Sequence, residues 1–151
     1  MLIEVYDDDV PAVVWLFCGA SNDDADFARW LASMKRLDSV MTQRPGAALL
    51  IIDEGNPPPK GEQRAGLTET ARAIKGDTPL AVVTSSALAR TIIGGLHLTG
   101  VVRFPLKGFA DVDSACAWVA ALRKTAPALP DQLRGLIEEA RAREILKNEK
   151  S

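Results

Sequence analysis

A few residues in this chain have the types that do chemistry. They are the adjacent acids Asp53 and Glu54, the hydroxyl pair Ser85 and Ser86, the lone His97, and two distant cysteines, Cys18 and Cys116. Two acids side by side suggest general acid/base work. Consecutive residues on a strand point to opposite faces, however, so the pair does not converge on one substrate atom. One carboxylate is expected to bind loop amides and the other to be solvated. A hard metal ion needs more oxygen ligands than this segment supplies. Ser85 and Ser86 precede a helical pattern, where hydroxyls cap far more often than they hold an anion. His97 falls at a helix end beside Leu96 and Leu98, and no G-x-S-x-G elbow accompanies it. Neither cysteine belongs to a C-x-x-C pair, and each sits among apolar neighbours, so buried reduced thiols are expected. No glycine-rich phosphate motif occurs. The expectation is no catalytic residue, no metal and no cofactor.

The 151 residues suit one domain, and 47% hydrophobic with 25% charged residues is ordinary globular composition. The net charge of −2 gives no basic field for nucleic acid. No apolar stretch is long enough for a membrane span. The first residues are acidic rather than basic, unlike a secretory signal, so the cytoplasm is the expected compartment.

The elements that must position these residues are legible from periodicity. Leu2 to Tyr6 and Ala12 to Phe17 read as strands joined by Asp7-Asp8-Asp9, an opening hairpin. Ser21-Asn22-Asp23-Asp24 is a helix-start signal, and Phe27, Trp30, Leu31, Met34 and Leu37 recur at helical spacing. Ala47 to Ile52 is an unbroken apolar run, expected to be a strand buried on both faces. Pro57-Pro58-Pro59 holds the next loop extended, with Pro59 expected near a helix's first turn. Leu80 to Val83, a helix through Leu88 to Leu96, a strand at Val101 to Phe104 and a helix capped by Asp111 or Asp113 complete residues 1–126. Residues 127–151 read as a separate amphipathic helix and tail, an appendage that folds back or pairs with another chain. The order is β-β-α-β-α-β-α-β-α plus a C-terminal helix, an α/β protein with a mixed β-sheet.

That order, with the strand-loop-helix from Ala47 to Ile74, resembles the STAS or SpoIIAA-like fold of bacterial anti-sigma-factor antagonists and their STAS/SEC14-type relatives, over roughly Leu2 to Lys124. The resemblance implies that the loop after the central strand, and the helix it opens, form a partner-facing site. The family's phosphorylated serine has no counterpart, because Glu54-Gly55-Asn56-Pro57-Pro58-Pro59 contains neither Ser nor Thr. A lesser resemblance is to receiver domains, with Asp53 as phosphoacceptor, Thr84 or Ser85 as the hydroxyl and Lys107 as the lysine. The acids that end a receiver's first strand are missing here, where the chain reads Cys18-Gly19-Ala20-Ser21.

The functional expectation is a non-enzymatic bacterial regulatory or scaffold domain that binds another protein through Glu54, Asn56, Pro58, Lys60, Gln63 and Arg64. Nucleic acid is not an expected partner, and a homodimer is compatible with the sequence. The alternative is a carrier of a small apolar, lipid-like ligand, with Phe27, Trp30, Leu31 and Met34 lining a pocket between the first helix and the sheet. Trp30 is also the tryptophan best suited to a rim, as an interface anchor.

Overall fold

The computed structural model describes residues 1–9, 11–41 and 44–151. It opens with β1 (Leu2–Asp7) and β2 (Ala12–Phe17), paired antiparallel with Leu2 opposite Phe17. Next come α1 (Asp24–Met41), β3 (Ala47–Ile52), α2 (Gly61–Ala73), β4 (Leu80–Thr84), α3 (Ala87–Leu98), β5 (Leu106–Phe109), α4 (Val112–Leu122) and α5 (Leu129–Glu149). The sheet runs in the order β1-β2-β3-β4-β5, and each pair from β2 to β5 is parallel. The chain is thus α/β with a five-stranded mixed sheet.

Alternation along the strands divides the core. Val13, Trp15 and Phe17 of β2, Ala48 and Leu50 of β3, and Leu80 and Val82 of β4 face one side. There they meet Phe27, Trp30, Met34 and Leu37 of α1, Ala71 of α2, and Ile93 and Leu96 of α3. The odd-even partners, Val14 and Leu16, Leu49 and Ile51, Ala81 and Val83, face the other side, covered by α4 and α5. The β3 run is therefore continuous because both faces are buried.

Local chemistry sets the boundaries. At the head of α1 a reciprocal box forms: Asp23 Oδ1 accepts the Asp26 N–H at 2.7 Å and Asp26 Oδ2 accepts the Asp23 N–H at 3.3 Å. Asp26 also accepts from the Leu2 N–H at 3.3 Å and from Arg29 at 2.5 Å, tying the helix to β1. Burial works to raise its carboxyl pKa, but Arg29 and the two backbone N–H groups outweigh it and hold the pKa below the ordinary value. Ser86 caps α3 by accepting the Ala89 N–H, and Asp111 caps α4 by accepting from Ser114.

Two expectations are corrected. The last strand is Leu106–Phe109, not Val101 to Phe104. Val102 and Phe104 are buried, but Pro105 has no N–H for a ladder, so pairing with β4 starts after it. Pro59 does lie near the first turn of a helix, two residues ahead of Gly61, the first residue of α2, with Lys60 extended at the cap. The terminal helix is not an appendage. Leu129, Leu133 and Ala140 are 0% exposed and cover Ile3, Val5, Val14 and Leu16, so the division at 126/127 runs through one core.

Leu133→Ala should therefore cost about 2–5 kcal/mol by urea unfolding, while Ile145→Ala, at an exposed site on the same helix, stays within about 0.5 kcal/mol. Asp26 is a depressed carboxyl. Its contribution is present above the unfolded aspartate pKa and is lost as pH falls through the folded value. Asp26→Asn should be less stable than the parent at neutral pH, and the gap should close in acid; pH-dependent denaturation curves measure it.

Candidate functional site

The carboxyl ends of β2 and β3 carry the two loops that lead into α1 and α2. The β3 end is built first. The Asp53 N–H donates to the Phe17 carbonyl at 3.0 Å, extending the parallel pairing by one residue. Asp53 to Asn56 then forms a turn closed by the Asn56 N–H on the Asp53 carbonyl at 3.1 Å. Gly55 sits at φ +84°, the left-handed region a side chain would strain.

Asn56 fixes the loop to its neighbour. Its amide nitrogen donates to the carbonyls of Cys18 at 3.2 Å and Gly19 at 3.0 Å. It also exchanges a reciprocal pair of bonds with the Asn22 amide, at 2.7 and 3.0 Å. Asn22 donates further to the Pro57 carbonyl at 3.4 Å. Gln63 makes the second stitch: its Oε1 accepts the Lys60 N–H at 3.2 Å and its Nε2 donates to Asp24 at 2.8 Å, joining the heads of α2 and α1. Between the stitched loops lies a groove of about 470 Å³, open to solvent and bordered by Ser21, Asn22, Asp24, Pro58, Lys60 and Gln63.

The six expected partner-binding residues thus separate into two sets. Asn56 and Gln63 are spent on holding the loops. Glu54, Pro58, Lys60 and Arg64 are exposed on the rim, with Arg64 donating to the Pro59 carbonyl at 3.4 Å. Sequence reasoning misses Asn22 and Asp24 as the opposite halves of these stitches, because their residue types signal a helix start and nothing more.

Asp53 points the other way, continuing the alternation of Leu49 and Ile51 toward α5. Arg141 meets it with a two-pronged bond, Nη1 to Oδ2 and Nη2 to Oδ1, both 2.7 Å, and also binds Glu144 at 3.0 Å. The expected binding of one carboxylate to loop amides is corrected: Asp53 holds a guanidinium, and Glu54 is exposed. Arg141 lies 88 residues away with no local signal of its role.

The remaining candidates are dispersed. Cys18 is buried beside this cluster, and burial, reinforced by the Glu144 carboxylate, pushes its thiol up to about 11. Burial also raises the Cys116 thiol. His97 is exposed near the end of α3. Thr84 Oγ1 accepts the Ser86 N–H, and Lys107 lies over the Phe109 ring. Among the described residues no group of three His, Cys, Asp or Glu side chains is arranged to hold a metal ion, and no helix is long and apolar enough to cross a membrane.

The space suggested for an apolar ligand is filled by the side chains themselves. Phe27, Trp30 and Met34 are about 5% exposed, and Leu31 is half-buried. Trp30 is a core residue, edge-on to Trp15 and Phe17 at 6.2 and 5.4 Å, which corrects its assignment to a rim. The cavity at the foot of α1, between Met34, Leu37, Ile74 and Thr78, measures about 20 Å³, room for one water.

Asn56→Ala removes bonds that satisfy two loop carbonyls, and should cost about 1–3 kcal/mol by chemical denaturation. With both thiols buried and their pKa values raised, a disulfide-exchange reagent at pH 8 should leave Cys18 and Cys116 unreacted in the native protein and titrate both in denaturant. Stoichiometric native labelling at the mixing rate would contradict that.

The chain matches no protein-family model, no curated protein and no solved structure.

Proposed function

We infer that this chain is a regulatory or scaffold protein, not an enzyme, of the STAS or SpoIIAA-like kind, and that it captures another protein on the rim formed by Glu54, Pro58, Lys60 and Arg64. The observation that carries this reading is the division of labour at the β3–α2 loop. Asn22 with Asn56 and Asp24 with Gln63 bond across the two loops, so the exposed rim is held in place before any partner arrives. Preorganisation of this kind lowers the ordering cost of association.

The sheet order favours a surface over a deep ligand crevice. The β2–α1 and β3–α2 connections cross the same face in the same direction. The divergence of successive crossovers that opens a cofactor cleft in doubly wound sheets does not arise between them. Neither the cysteines, which are buried, nor His97, which belongs to α3, reaches the rim. The STAS-like assignment rests on the opening hairpin and the parallel β-α units after it, in the order expected of that fold.

The test is capture by the immobilised full chain from the cytosol of its source organism, wild type against Lys60→Glu/Arg64→Glu. Both positions are exposed, so the double variant should keep its circular dichroism and melting temperature while losing a specific partner by at least tenfold, the equivalent of about 1.4 kcal/mol. Recovery of the same proteins at the same level by both baits would reject the rim.

A further inference from the structure

Thr78 carries a buried hydroxyl. The residue is 8% exposed, and its Oγ1 has no hydrogen-bond partner among the described residues. Such groups are rare in folded proteins, because an unpaired buried hydroxyl keeps its full desolvation penalty. Thr78 lies in the α2–β4 loop and borders the cavity of about 20 Å³ at the foot of α1. Most of that cavity is walled by apolar side chains, Leu37, Ile74 and Phe104 among them. Asp38 of α1 is the exception. Its Oδ1 accepts the Gly76 N–H at 2.8 Å and its Oδ2 accepts the Lys75 N–H at 3.3 Å. A carboxylate accepts at about four lone-pair sites, so some of its capacity remains. Trp15 also borders the cavity, but its indole N–H is committed to Glu4 and Ser33, at 2.9 Å each.

We propose that one water molecule is a structural ligand of this cavity, held between the Thr78 hydroxyl and the Asp38 carboxylate. Size is the first argument. A water needs roughly 10–15 Å³ of such space, whereas an organic molecule as small as benzene takes a cavity of about 150 Å³. Polarity is the second. A cavity with wholly apolar walls stays dry, and a buried water needs at least about two polar partners. Here the water oxygen accepts the Thr78 O–H, and one water hydrogen is donated to Asp38. The hydroxyl is thereby satisfied without any movement of the chain. The bridge runs from α1 to the α2–β4 loop, beside the bonds Asp38 makes to Lys75 and Gly76. Gln63 and Asp24 join the heads of α1 and α2, and the water helps to close their feet.

Thr78→Val keeps the branched shape and removes the hydroxyl, and urea unfolding of the full chain gives the test its sign. With water bound, valine takes away one of its two partners, and the unfolding equilibrium constant should rise about threefold or more. In a dry cavity valine removes an unpaired buried hydroxyl, and the same constant should fall. A high-resolution crystal structure of the wild type provides the second measurement. It should show one ordered oxygen within about 3.2 Å of both Thr78 Oγ1 and the Asp38 carboxylate, absent from the Thr78→Val crystal. A valine variant as stable as the wild type or more so, or a wild-type cavity without that oxygen, would overturn the proposal.

Discussion

A strand whose side chains are apolar on both faces has to be covered twice, and this requirement organises the molecule. The crossovers from β2 to β3, β3 to β4 and β4 to β5 all step in one direction along the sheet. Right-handed connections that step the same way place their helices on the same face, and α1, α2 and α3 duly share one. The second face of β2, β3 and β4, with Val14, Leu16, Leu49, Ile51 and Ala81, is left to the two helices beyond β5. At roughly 25 cal/mol per Å² of apolar surface, leaving it in water would consume the stability of a domain this size. The short α4 covers one part, and the 21-residue α5 runs over β1 and β2 to cover the rest.

That return has a consequence at the carboxyl edge of the sheet. Where α5 passes the carboxyl end of β3, Arg141 reaches Asp53, whose face is fixed by strand alternation. One residue further on, the Glu54-Gly55 turn sends the chain to the opposite face, where Asn56 and Gln63 join the two loops. The end of β3 is thus held from both sides, by an ion pair to the last helix and by amide bonds to the β2–α1 loop. The ion pair is half exposed and contributes modestly. Its effect is mainly orientational, since a planar guanidinium facing a carboxylate fixes direction as well as distance.

How far the sequence discloses this depends on the range of the interactions. The two central strands, β2 and β3, carry their bounds in their own apolar runs, and the α1 and α3 starts carry theirs in Asp23 and Ser86, which act within a few residues. The last strand is misplaced because Val102 and Phe104 are apolar by burial rather than by pairing, and nothing local separates the two. The terminal helix reads as an appendage because its charged residues outnumber its leucines. Only knowledge that a whole sheet face lacks cover makes Leu129, Leu133 and Leu136 obligatory core. The loop Glu54 to Lys60 is legible as a polar, proline-set turn at a strand end. The roles inside it are not, because Asn56 acquires its role from Asn22 and Asp53 acquires its own from Arg141, 34 and 88 residues away.

The same accounting separates the two surfaces the protein leaves open. At the edge of β2 and β3, polar side chains bond to one another, and the groups that remain outside are charged and exposed: Glu54, Lys60 and Arg64. Over β4 and β5 the helix α3 does the reverse. Its one inward cation bonds to a backbone carbonyl, its apolar residues exceed what the narrow β5 edge can bury, and the excess faces water. Apolar excess of this kind lowers solubility unless something covers it, whereas an exposed charged rim is stable in water by itself. The two surfaces lie over different strand pairs and share no side chain.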